Sequence, residues 1–60
     1  MMKVELVGGP LDGLTGEYMM SATLFLPHQQ EDGPLIYVTY GNARLIDINT
    51  YRFHYEEPTQ

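Results

Sequence analysis

Sixty residues make one domain, and a chain of this size buries only about 60% of the surface that its unfolded form exposes, so a lone copy is marginally stable. It has no cysteine, which removes disulfides and thiolate-held metal as reinforcement and leaves association with other chains as the expected support. Eight Asp and Glu against Lys3, Arg44 and Arg52 give a net charge of −5, which repels polyanions and argues against direct nucleic-acid binding.

No apolar run approaches the roughly 20 residues that span a bilayer, and Glu5 falls where a signal peptide needs an apolar core. A cysteine-free chain also suits a reducing compartment. The expectation is a soluble cytoplasmic protein with no membrane partner.

In chain order, Met2 to Val7 sets Met2, Val4 and Leu6 against Lys3 and Glu5, the period-2 pattern of a strand with one wet face. Gly8-Gly9-Pro10-Leu11-Asp12-Gly13 is a tight reversal, in which Pro10 presets φ, Asp12 bonds nearby backbone and Gly13 accepts positive φ. Leu14 to Met20 alternates again and pairs back as a hairpin, with Gly16 a candidate bulge. Ala22 to Leu26 is apolar on both faces, which predicts a doubly covered strand ended by Pro27. His28-Gln29-Gln30-Glu31-Asp32-Gly33-Pro34 is a polar loop.

Leu35 to Tyr40 is β-branched and aromatic, with Leu35 and Tyr37 opposing Ile36, Val38 and Tyr40. Gly41-Asn42 suits a two-residue turn, Gly41 supplying positive φ at its first central position. Two readings of the next segment stay open. Ala43 to Ile48 either pairs back on Leu35 to Tyr40 as a strand, the preferred reading from its alternation, or forms one helical turn capped by Asn42. Asn49-Thr50 reverses the chain, Tyr51, Phe53 and Tyr55 alternate with Arg52, His54 and Glu56 in a last strand, and the tail from Glu57 to Gln60 is expected to fray. The whole predicts a single all-β domain over residues 1–60: a small antiparallel meander of five or six short strands, strongly bent or closed into a partly open barrel.

No segment has the helical periodicity to cover such a sheet, so its second apolar face predicts a homo-oligomer. Tyrosine and arginine favour interfaces, and the interface candidates are Phe25, Tyr37, Tyr40, Tyr51, Arg52, Phe53 and Tyr55. The four methionines are adaptable packing for either core or contact.

Catalytic and ligand sites have thinner support. The glycine-rich turn could offer N–H groups to a phosphate, but it lacks a following helix and a lysine, and Asp12 opposes an anion. His54 with Glu56 falls short of the three or four ligands that zinc takes, and His28, with Glu31 and Asp32, sits in the exposed polar loop. Ser21, Thr15, Thr23, Thr39, Thr50 and Thr59 have no base near them in sequence. The scattered carboxylates suit a solvated surface better than mimicry of nucleic acid. A non-enzymatic protein without metal or cofactor is expected, an enzyme assembled between subunits being a distant alternative.

The opening Val4-Glu5-Leu6-Val7-Gly8-Gly9-Pro10-Leu11-Asp12-Gly13 resembles that of a loose group of very short bacteriophage and prophage proteins. These share a hydrophobic strand, a Gly-Gly-Pro-x-Asp-Gly turn, a mid-chain element like Leu24-Phe25-Leu26-Pro27 and a tyrosine-rich strand like Tyr37-Val38-Thr39-Tyr40 or Tyr51-Arg52-Phe53-His54-Tyr55. The resemblance runs over most of the chain in outline, and its specific part is the turn. It implies a phage setting and a small β fold and carries no functional residue over. The leading expectation is therefore an interaction module that presents an aromatic and acidic surface, or a strand edge, to a host bacterial protein and modulates it. The alternative is a self-assembling structural accessory of a phage particle.

Overall fold

The computed structural model describes residues 1–58 and contains five strands: β1 (Met2–Val7), β2 (Thr15–Tyr18), β3 (Leu24–Gln29), β4 (Leu35–Asp47) and β5 (Thr50–Glu56). They form one sheet in the order β2-β1-β5-β4-β3, curled into a half-barrel. Residues 59 and 60 of the expected frayed tail lie outside the described residues.

The all-β expectation holds, but the sheet is mixed and its order is not that of a meander. Neighbours pair antiparallel except β1 and β5, which run parallel with Val4 beside Tyr51 and Leu6 beside Phe53. The reason is burial. β5 carries the densest aromatic stripe, and insertion between β1 and β4 sets Phe53 beside Leu6 within the core cluster, leaving it no exposed surface. Met2, Val4, Leu6, Leu24, Val38, Tyr40 and Phe53 form the core on the concave face, with Leu11, Tyr18, Leu26, Ile36, Tyr51 and Tyr55 packed around them.

Four local expectations are corrected. Pro27 does not end its strand: β3 continues to Gln29 because it is an edge strand, paired only with β4, where a missing N–H is tolerated. Gly41-Asn42 is not a hairpin turn. β4 runs straight through it for 13 residues, and the positive φ falls on Asn42 (53°) at a register shift against β5. Of the two readings of Ala43 to Ile48 the strand holds as far as Asp47 and the helical turn does not, but the strand is not paired back on Leu35 to Tyr40. It stays extended, with Arg44 opposite Arg52 and Leu45 opposite Tyr51, and Ile48-Asn49 makes the reversal. Gly16 pairs in register with Val4 rather than forming a bulge, and the Tyr18 ring lies back over it.

The glycine-rich turn closes one end of the half-barrel. Leu11 packs on the core, and the buried Tyr40 hydroxyl donates to the Gly8 carbonyl (2.6 Å) while accepting from the Leu11 N–H (2.9 Å). Gly9 lies directly against the Tyr55 ring, which in turn meets the Tyr40 ring at a centroid distance of 5.4 Å. Loop and aromatic strand are thus fitted to each other.

Candidate functional site: an aromatic and acidic sheet face

No described element covers the convex face of the sheet. Where β3 pairs with β4, the outward positions are Phe25 opposite Thr39, Pro27 opposite Tyr37 and Gln29 opposite Leu35. Phe25 and Tyr37 each expose 68% of their surface and Leu35 exposes 53%, so the doubly covered strand read from Ala22 to Leu26 is open on one side. Phe25 and Tyr37 are diagonal neighbours across the two strands, close enough for their rings to form one surface. None of these six outward positions carries a charge.

Carboxylates frame them. Glu56 pairs with Thr39 beside Phe25, and its carboxylate lies over Gly41, 2.9 Å from where a Cβ there would stand. Glu31 and Asp32 sit in the β3–β4 turn and Glu57 follows β5, all exposed. A hollow of about 140 Å3 lies beside Tyr37, bordered by Thr39, Tyr55, Glu56 and Pro58. An apolar aromatic centre with an acidic rim complements an apolar surface bearing Lys or Arg.

The remaining interface candidates lie elsewhere. Tyr40 and Phe53 have no exposed surface and serve the core. Tyr51 and Tyr55 are half-buried along the concave side. Arg52 is on the convex face, where its Nε donates to Glu5 Oε1 at 3.1 Å, between β1 and the exposed Arg44 of β4. Leu35 and Pro27 were not among the sequence candidates. Leu35 was legible as the partner of Tyr37 in the alternation, whereas Pro27 was hidden by its reading as a strand terminator.

The chemistry open to other sites is limited. In the glycine-rich turn the Gly8 N–H donates to Asp12 Oδ1, that of Leu11 to Tyr40, that of Asp12 to Gly9, that of Gly13 to Leu6 and that of Leu14 to Leu11, so most of the donors that would cradle an anion, that of Gly9 excepted, are used within the fold. Among the described residues no group of three His, Asp or Glu side chains is placed to hold a metal. A second hollow, about 260 Å3, is wide open over β1 and β2 and lined by Lys3, Glu5, Thr15, Glu17 and Thr50. Among the described residues no helix is long and apolar enough to cross a membrane. Comparison with protein-family models, curated proteins and solved structures found no match.

Proposed function

We propose that this protein is a non-enzymatic interaction module that binds a basic, partly apolar surface of another protein through the convex face of β3 and β4. The observation that carries the reading is the exposed Phe25–Tyr37 pair, uncharged at its centre and ringed by Glu31, Asp32, Glu56 and Glu57. Solvent-exposed aromatics at adjacent sheet positions give the isolated fold little beyond their cross-strand contact, and aromatic anchors supply much of the energy of protein contacts.

The face is favoured over a strand edge because each free edge is guarded. β2 has four residues, including Gly16 and Glu17, β3 contains Pro27, and β4 beyond Gly41 has two register shifts against β5. Short length, charge, proline and bulges are the devices that keep edges from pairing. In the phage setting implied by the opening segment, the partner would be a bacterial host protein in the cytoplasm, modulated by occupation of its basic surface.

The test is capture from a bacterial lysate with the chain tagged after Gln60, comparing wild type with Phe25→Ser and Tyr37→Ser. Exposure at both positions predicts that the variants fold as well as wild type by circular dichroism. A stoichiometric protein retained by wild type, released by salt and lost in both variants is the expected result. A partner retained equally by both variants would refute the face.

A further inference from the structure

The exposed apolar residues are not spread evenly. Leu45, Ile46 and Ile48 surround the β4–β5 turn, and Ile48, at 95% exposure, is nearly as open as in an unfolded chain. Met1 is fixed beside that turn, because the Asn49 side chain donates to its carbonyl at 2.7 Å and the Lys3 N–H donates to the Asn49 carbonyl at 2.9 Å. Met19 and Met20 leave β2 at the same end, since Tyr18 pairs with Met2. All six are exposed and lie across the ends of β2, β1, β5 and β4, at the end of the sheet away from the Phe25–Tyr37 face.

The charge is divided along the same axis. Registers place Lys3, Arg44 and Arg52, the chain's three Lys and Arg, in the half of the sheet nearest this tip, with Glu5, Glu17 and Asp47. That half is therefore electrically balanced. The whole net charge of −5 belongs to the other half, where Asp12, Glu31, Asp32, Glu56 and Glu57 face no Lys or Arg. The molecule measures 39 Å along its long axis, several times the screening length of about 8 Å at physiological salt.

We propose that this tip is the self-association surface, two copies meeting tip to tip about a two-fold axis. A basic partner would gain nothing from a neutral tip, parallel side-by-side association would press one acidic half on another, and antiparallel side-by-side association would leave both apolar tips in water. Tip-to-tip contact alone joins two balanced surfaces and holds the acidic halves at opposite ends. The six side chains offer on the order of 600 Å2 per copy, so a pair would bury roughly 1,200 Å2, the lower limit of specific interfaces. A reversible, closed dimer follows, as expected for an isologous contact. The tip is separate from the aromatic face, and either surface can fail without the other.

The experiment is sedimentation equilibrium from about 10 micromolar to about 1 millimolar, the range in which a contact of this size dissociates. Wild type should move from monomer to dimer and stop there. Ile48→Asp, folded by circular dichroism because the site is solvated, should weaken association at least about tenfold, the effect of one well-placed contact, while Phe25→Asp should leave it unchanged. Because the chain has no other thiol, Ile48→Cys should form a covalent dimer on oxidation, whereas Gly33→Cys at the opposite end should not. A monomer throughout, an Ile48→Asp variant that associates as wild type, growth beyond two copies, or a dimer that Cys at position 48 fails to link would each overturn the proposal. So would Ile48-dependent flotation of a monomeric chain on phosphatidylcholine vesicles, which would assign the tip to a membrane.

Discussion

Gly9→Ala tests the fit between the glycine-rich loop and the aromatic strand. Gly9 has φ of +64°, and an added Cβ would stand 2.3 Å from Cγ of Tyr55, far inside van der Waals contact. Two costs follow. A non-glycine residue in this region of φ costs roughly 1–2 kcal/mol, and forcing a methyl into a packed site adds about 1–3 kcal/mol. Tyr55 cannot easily retreat, because its ring already meets Tyr40 at 5.4 Å. The predicted loss is about 2–5 kcal/mol, comparable to the whole stability of a domain this small. Gly13→Ala supplies the reference, since its φ is +86° but nothing lies within 4 Å of the added carbon, so it bears only the backbone cost. Urea denaturation of both variants, followed by far-ultraviolet circular dichroism, separates the two terms. Tyr55→Ala in the Gly9→Ala background should recover the steric part of the difference. The reasoning is refuted if Gly9→Ala is no more destabilising than Gly13→Ala.

Three further outcomes follow from individual contacts. Tyr40→Phe removes the hydroxyl that bridges Gly8 and Leu11 at 2.6 and 2.9 Å and should cost about 1–3 kcal/mol, with faster amide exchange at Leu11; unchanged exchange there would show that the hydroxyl does not hold the loop. Asn42→Val should destabilise by about 1–2 kcal/mol and Asn42→Gly should not, because φ there is 53° and a β-branched side chain opposes it; equal stabilities in thermal unfolding would exclude strain at the bulge. Glu5→Gln leaves Arg52 facing Arg44 across the strands. Since Arg52 and Glu5 are 43% and 39% exposed, the loss should be below about 1 kcal/mol and shrink as salt is added, a trend that melting at several ionic strengths would confirm or exclude.

β1 was legible to the residue, because Met2, Val4 and Leu6 alternate with charged neighbours and the structure buries all three. Its parallel pairing with β5 was not. Strand alternation states which residues share a face, but pairing between segments nearly fifty positions apart depends on which arrangement buries Phe53 best. At Gly41-Asn42, local composition suited a turn, and tertiary pairing with β5 carried the chain through it as a bulge. The same limit governed the site. In Leu35 to Tyr40 both faces are apolar, so the pattern separates Tyr37 from Tyr40 without saying which points inward. The structure decides it by tying the Tyr40 hydroxyl to Gly8 and leaving Tyr37 in solvent. The tip was hidden for a different reason, since Met19, Met20 and Ile48 gather only once β1, β2 and the β4–β5 turn share an end.

The place of β5 between β1 and β4 also sets an order of events for the growing chain. The β1–β2 hairpin can close early, but β1 has only one neighbour until Thr50 to Glu56 has been made, and Leu6 has no Phe53 to pack against until then. Parallel pairing over such a separation is slow relative to hairpin closure. Until β5 takes its place Met2, Val4 and Leu6 lack cover on one side, and the fold is completed by insertion of β5 into the middle of the sheet.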